Sequence, residues 1–488
     1  MSLSALSTEL DAKIIEFLHA AGDRQALSSM SRVSKYYRQV AEPFLYRDLV
    51  FRAADEVHLK RLLITLLAKT ELAKHIRSFS LSDHRPLTPD YPSYYEKADL
   101  LADDLWKHDS LIKKAIGVIA LPASTAMHMF GSIFARCGTV YQPEHSIDGT
   151  IALILSMAHE IKFIHLAVSA PGYLDITREL LNGPWNAIKN GTFDSTKAFG
   201  KLESLRIKGD EIQHPGMAIG PQGVTRKLIL QKLHITAVGT MLGSTDALRS
   251  LELRNVKIIP ALVERLIKKP ALVNLSRLVL DGLIEEVLSQ AWVRYDYALL
   301  SRVIVDCLPK LEVLECVHMP TSQRQEELPF ASLKPLARLH TLRVDIPVLF
   351  DLETEDPDED MSFDGQAMLP RSLRHLELVE SSTWHIDALI NCEVVANPGI
   401  SMDLETISLV AIMDPPYGYI KGMTDLGMQN ATLDQLKVLV KKHSQQGLDY
   451  RVYCWNPEDD NARKYLLGPG FEAPRSHYMR GIELEESR

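Results

Sequence analysis

Apolar residues recur along the chain in a fixed hexad, apolar-x-x-apolar-x-apolar. It opens at Ile161, Leu202, Leu230, Leu248, Leu275, Leu311, Leu339, Leu373 and Leu404, with an earlier copy at Ile76-Arg-Ser-Phe79-Ser-Leu81. Side chains alternate faces along a strand, so the fourth and sixth positions of each hexad turn into one core and the fifth turns away from it. The residues expected on that opposite face are His165, Arg206, His234, Glu252, Val279, Glu315, Arg343, Glu377 and Ser408. One such strand cannot bury its apolar face alone, whereas a stack of them can. Between hexads the period changes: Ile259 to Lys269, Leu288 to Cys307, His385 to Val395 and Asp434 to His443 carry apolar residues at helical spacing. The pattern therefore predicts repeated strand–turn–helix units.

Repetition of this kind is the signature of an α/β leucine-rich-repeat solenoid, with parallel strands inside and helices outside. The spacing is irregular, with 28 residues from Leu202 to Leu230 and only 18 from there to Leu248. The solenoid is expected over 51–455, with insertions near 83–149 and 351–364 and a C-terminal tail over 456–488. The first insertion carries Pro86, Pro89 and Pro92 and then helical text from Ala98 to Arg136. The second holds Asp351, Glu353, Glu355, Asp356, Asp358, Glu359, Asp360 and Asp364 without a basic residue, the composition of a solvated loop.

Residues 1–50 are a different module. Leu10, Ile14, Phe17 and Leu18 fall on one helical face, a second apolar series begins at Ala26, Leu27 and Met30, and a third segment from Ser34 closes near Pro43. So small a helical bundle buries little surface of its own, and part of its apolar face is expected to seek a partner. The order Leu6-Ser-Thr-Glu-Leu10, Ile14, Leu18, Leu27, Met30, Arg32-Val33-Ser34-Lys35-Tyr36-Tyr37 and Ala41-Glu42-Pro43-Phe44-Leu45-Tyr46-Arg47-Asp48-Leu49 resembles the F-box, particularly the fungal form that precedes leucine-rich repeats. Ser7 stands where that family usually has proline. The resemblance implies binding to a Skp-type adaptor and, through it, to a cullin. It also implies that Leu6, Glu9, Ile14, Leu18, Leu27 and Val33 lie at or support the adaptor-facing surface. A plain helical cap sealing the first repeat is the alternative.

Composition narrows the function. The 488 residues are 46% hydrophobic and 24% charged, ordinary for a globular protein, and the formal charge of −9 disfavours nucleic acid as a general partner. The best candidate for a membrane span, Ile116 to Met129, is broken by Pro122, Ser124, Thr125 and His128, so none is expected. Glu9, Asp11 and Lys13 replace the leader of a secretory signal, pointing to an intracellular protein, cytoplasmic or nuclear. Cysteines at 137, 307, 316, 392 and 454 form no C-x-x-C pair, which leaves reduced thiols rather than a disulfide framework or zinc site. His159-Glu160 lacks the second histidine of a zinc helix because Phe163 stands there. Ser110 and Lys113 lack the companion motifs of a Ser–Lys nucleophile, and Gly220-Pro-Gln-Gly223 lacks the Lys-Ser or Lys-Thr of a phosphate loop.

No catalytic residue, metal ligand or cofactor is therefore expected. The expectation is a non-catalytic substrate receptor of a ubiquitin ligase, holding an unknown protein client on the repeat surface. Arg206, His234, Glu252, Glu315, Arg343 and Glu377 are its candidate client-binding residues. An interaction scaffold of the same fold without a ligase role is the alternative.

Overall fold

The structure, a computed structural model, describes residues 8–52, 55–82, 104–119, 121–134, 147–168, 176–177, 180–181, 199, 201–209, 225–235, 248–283, 296–317, 329–349, 368–380, 404–412, 430–455 and 463–467. Leu6, the acidic 351–364 segment and the helix expected at His385 to Val395 lie outside these residues, as do 83–103 and most of the tail. The chain divides into two compact units, Met1–Leu248 and Arg249–Arg488.

The first unit opens with helices α1 (Thr8–Ala20), α2 (Arg24–Val33) and α3 (Lys35–Leu45), packed on one another. Asp23 and Ser34 cap the second and third by accepting from the backbone amides of Ala26 and Tyr37 at 2.9 and 3.2 Å. The stack then follows. Strands β1 (Asp48–Arg52), β2 (Ser78–Ser82), β3 (Phe163–Val168), β4 (Ser204–Gly209) and β5 (Lys227–Gln231) lie side by side, parallel and in chain order. Parallel neighbours need long crossovers. Here α4 (Glu56–Ala68) joins β1 to β2, and α5 (Asp109–Val118), α6 (Ala123–Phe134) and α7 (Asp148–Met157) lie between β2 and β3. The described residues of the expected insertion are thus largely helical, with α5 ending at Val118 and α6 beginning after Pro122.

The second unit repeats the plan. Strands β6 (Ser250–Arg254), β7 (Arg277–Asp281), β8 (Val313–Val317), β9 (Thr341–Asp345), β10 (His375–Glu380), β11 (Thr406–Ile412) and β12 (Asp449–Trp455) are parallel and consecutive. Helices α8 (Pro260–Ile267), α9 (Tyr297–Cys307) and α11 (Asn430–Gln445) precede β7, β8 and β12, and α10 (Ile346–Leu349) is a single turn after β9. Within the expected C-terminal tail, β13 (Arg463–Leu467) pairs antiparallel with β12 and closes the row. An α/β chain of consecutive parallel strands behind an N-terminal helical bundle is consistent with a leucine-rich-repeat-like solenoid.

Hexad positions one, four and six form the core. Leu251 and Leu253, Leu278 and Leu280, Leu314 and Cys316, Leu342 and Val344, and Leu376 and Leu378 are all buried, together with the apolar faces of α4, α7, α8 and α9. A backbone signature fixes the register independently. The carbonyl of hexad position two accepts both the second and third amides of the next strand: Arg77 from Lys162 and Phe163, Lys162 from Glu203 and Ser204, Arg249 from Ser276 and Arg277.

The same fork at the Arg47 carbonyl, and at the Glu203 carbonyl accepting from Arg226 and Lys227, reveals two details that the apolar pattern does not. A repeat opens at Tyr46 and forms β1. The ladder strand β5 belongs to a hexad opening at Thr225, with Leu228 and Leu230 facing the core opposite Leu205 and Ile207. Leu230 is therefore a sixth position and not a first one, Ile229 takes the place expected for His234, and His234 lies beyond the strand. Opening at Thr225 also replaces the uneven spacing with 23 residues on either side.

Candidate functional site

The helical bundle has a core of Ile15, Leu27, Tyr37 and Ala41, lined by Leu18, Met30, Val40, Phe44 and Leu45. The Tyr37 hydroxyl donates to the buried carboxylate of Asp11 at 3.2 Å. Desolvation, and after it that carboxylate, holds the Tyr37 phenol above its ordinary pKa. Fixing Asp11 inward also turns Ile15, one helical turn later, into the core. The buried stripe of α1 is thus Asp11, Ile15 and Leu18, rotated from the Leu10–Ile14–Phe17–Leu18 face that the sequence suggests.

The consequence is surplus apolar surface. Leu10 and Phe17 are 45% and 71% exposed, Ile14 between them is partly exposed, and all three lie along one helical edge. Val33, at the end of α2, is 62% exposed. Of the residues expected at an adaptor surface, Glu9 and Val33 are exposed, Ile14 is partly so, Leu18 packs on the core and Leu27 is inside it as a support. Leu10 and Phe17, absent from that set, are exposed as well. Their recurrence, Leu10 four residues before Ile14 and Phe17 three after it, was the available signal.

The bundle is tied to β1. The guanidinium of Arg24 donates to the Asp48 carbonyl, and His19 Nε2 lies 2.9 Å from the Asp48 carboxylate.

The face of β1–β5 opposite the core is polar and basic. Across it the fifth hexad positions read Val50, Ser80, His165, Arg206 and Ile229, and the seventh positions read Arg52, Ser82, Ala167, Lys208 and Gln231. On these strands Asp48 is the one carboxylate that this face carries, and His19 engages it. Arg206 spends one nitrogen on Gln231 Oε1 at 2.7 Å, while its Nε is shielded from solvent without an acceptor among the described residues. His165 sets Nδ1 3.4 Å from the Ser80 hydroxyl, and its Nε2 is likewise shielded and unmatched. Burial first, and then the charges of Arg206 and Lys208, hold the His165 imidazole below its ordinary pKa. Val50 and Phe163 flank this patch as exposed apolar groups.

The corresponding face of the second unit is more deeply buried. Glu252, expected on the face away from the core as a client-binding residue, is 4% exposed, and Val279, Glu315 and Asp345 are buried as well. Val317, Val379 and Val410 form an apolar cluster of their own on this side of the strands. Strict alternation says which face a residue takes and not whether that face is covered, and parallel sheets are commonly covered on both.

On that face the charges pair in a ladder. Arg277 lies 3.7 Å from Glu252 and bonds Glu315, Arg343 reaches Glu315 at 3.4 Å and Glu377 at 2.6 Å, and Arg254 bridges Glu252 and Asp281 at 3.0 and 2.9 Å. Of the expected client-binding residues, Glu252, Glu315, Arg343 and Glu377 thus come together as an internal network. Arg206 stands apart in the other unit.

Among the described residues no group of three His, Cys, Asp or Glu side chains is placed to hold a metal ion, and no helix is long and apolar enough to cross a membrane. Cys307 and Cys316 are free thiols, and burial, then Asp345 and Glu315, pushes the Cys316 thiol well above its ordinary value. No protein-family model matches the chain, and a search of curated proteins returns no similar one.

Proposed function

We propose that this chain is the substrate-recognition subunit of a Skp-cullin-F-box type ubiquitin ligase, with α1–α3 docking on a Skp-type adaptor and a leucine-rich-repeat solenoid capturing a protein client. The observation that carries the adaptor half is the Leu10–Ile14–Phe17 edge. A bundle whose core is complete without these residues still presents them to solvent, and apolar groups ranged along one helix beside an exposed Val33 are what a partner helix packs on. The F-box-like order of residues supplies the identity of that partner. For the client half, the open polar face of β1–β5 is the better surface, because the equivalent face of β6–β10 is buried and internally paired. The chain's contribution to ubiquitin transfer is proximity: holding client and loaded conjugating enzyme together raises their effective concentration without any acid or base from this protein.

The ties from Arg24 and His19 to Asp48 favour a second reading, in which α1–α3 only cap the first strand of an interaction scaffold. Binding of purified full-length chain to a purified Skp-type adaptor separates the two. Phe17→Asp removes an apolar anchor and inserts a charge at the interface, and is expected to weaken adaptor binding about 100-fold or more with unchanged circular dichroism. Equal binding by this variant, or none by the unaltered chain, supports the scaffold.

A further inference from the structure

The crossover between β2 and β3 carries apolar surface that neither the core nor the ligase reading uses. From Ala115 to Phe134 the chain has no Asp, Glu, Lys or Arg, although 24% of all residues are charged. Only one side of this helix pair is inside: Ile112 and Ile116 of α5 and Thr125, Met129, Ser132 and Ile133 of α6 are buried. That side is held fast. The Ser132 hydroxyl accepts from the Gly149 amide of α7 at 2.9 Å, and a Cβ on Gly149 would collide with the Met129 carbonyl oxygen. The other side is open, with Val118 82%, Met127 75% and Trp106 54% exposed. Phe134 lies against both Trp106 and Phe130, with ring centroids 4.3 and 4.6 Å apart. A face rich in aromatic residues and methionine and poor in charge is the kind that another protein surface covers.

We infer that the outer face of α5 and α6 is where a second copy of this chain docks. Shape points to self-pairing. Along α6 the outward positions one turn apart are Ala123, Met127 and Gly131, a protruding side chain between two small residues. Gly131 has nothing within 4 Å of where a Cβ would stand, and neither has Gly117 on α5. A ridge of this form, turned about a two-fold axis, sets each Met127 into a hollow of the other copy, which is the self-complementarity an isologous contact needs. Charge points the same way. A surface that meets itself doubles whatever charge it carries, and a molecule with a formal charge of −9 repels its own copies across most faces. Here the rim arrives neutralised, with Lys107 bonded to Asp104 at 2.7 Å and Lys113 to Asp109 at 2.9 Å. Lys113 also lies 5.2 Å over the Phe130 ring. Lys114, exposed and without a carboxylate partner among the described residues, is the cation left over. Its ammonium and the exposed Trp106 ring suit each other across a two-fold contact, once in each direction. One spare cation is too little for an anionic lipid surface, which takes clusters of about four or more.

Self-docking here is independent of both halves of the proposed function, since α5 and α6 lie outside the α1–α3 bundle and outside the strand face. Failure of the Phe17→Asp experiment therefore leaves it intact.

The test is sedimentation velocity of the full-length chain. Between about 1 and 100 μM a dimer is expected to grow with concentration, and to persist when salt is raised from about 0.1 to 0.5 M, as an apolar contact does. Met127→Glu and Met127→Lys are each expected to weaken it about 10- to 100-fold, with unchanged circular dichroism because the position is exposed. An equimolar mixture of the two variants is expected to recover dimer, because a two-fold contact along this ridge brings the opposite charges together. Gly131→Leu fills a hollow with a better helix former, and is expected to weaken dimerisation while leaving the urea midpoint equal or higher. Val438→Glu, at an exposed position on α11, is expected to leave dimerisation within about twofold. A chain that stays monomeric at about 100 μM, a dimer equally tight in Met127→Glu and Gly131→Leu, or a variant mixture that stays monomeric each overturns the proposal. So does a monomer that co-sediments with vesicles of about three parts phosphatidylcholine to one part phosphatidylserine, a result that gives the face to lipid.

Discussion

Glu252 and Arg206 occupy the same hexad position, yet one is an internal strut and the other faces an open surface, and their substitutions separate accordingly. Glu252→Ala deletes a carboxylate shared by Arg254 and Arg277, whose side chains are partly solvated, and is expected to cost about 1 to 3 kcal/mol. Leu251→Ala, one residue earlier in the core, is expected to cost about 2 to 5 kcal/mol. Glu405→Ala breaks only the half-exposed pair with Arg374 and should stay within about 0.5 kcal/mol. Urea midpoints of the three variants check this order. His165 contributes a pH dependence of defined sign. With its folded-state pKa below 6.5, chiefly through burial, the folded protein takes up that proton less readily than the unfolded chain. The resulting stability is present above pH 6.5 and declines as pH falls through the folded value. His75, shifted in the same direction by burial, adds to the slope. Between pH 7.5 and 5.5, urea titrations of His165→Gln are therefore expected to show a shallower loss of stability than the unaltered chain.

At the scale of single elements, the strands were legible wherever the opening residue of the hexad is aliphatic, because alternation over a few residues fixes both face and register. Reading failed where chemistry departs from that alphabet. Thr225 opens β5 from a buried position, Tyr46 precedes β1, and Gly447 precedes β12 with Tyr450 and Val452 inward. Leu230, Leu233 and Ile235 meanwhile imitate a hexad one step out of place. In α1 the periodicity located the helix but not its buried edge, since the Asp11–Tyr37 bond, invisible to hydropathy, sets the rotation. The turn after β7 shows how tightly neighbouring repeats approach: Gly282 has φ +63° and a Cβ there would sit 2.2 Å from the Asn255 side-chain oxygen. Gly282→Ala is expected to destabilise by about 1 to 3 kcal/mol, through left-handed strain and displacement of Asn255, as read by thermal and denaturant unfolding.

For the molecule as a whole, the fold class was legible because repetition multiplies a weak local signal, while the sites were less so because exposure depends on what covers each face. Net charge of −9 conceals a basic face on β1–β5, and acids lie elsewhere, Glu252, Glu315 and Glu377 among them paired with arginines of the second unit. Docking surplus on α1 and a polar face on the strands are the two surfaces a bridging receptor requires, and the first is the one on which the ligase reading stands. Hydrogen–deuterium exchange of the full-length chain with and without a purified Skp-type adaptor tests it most directly. Slowed exchange confined to the amides of α1 and the α2–α3 junction around Val33 is expected, with β1–β13 unchanged. No change at α1 with adaptor in excess, or protection on the strands in its place, contradicts the assignment of this chain as an adaptor-bound receptor.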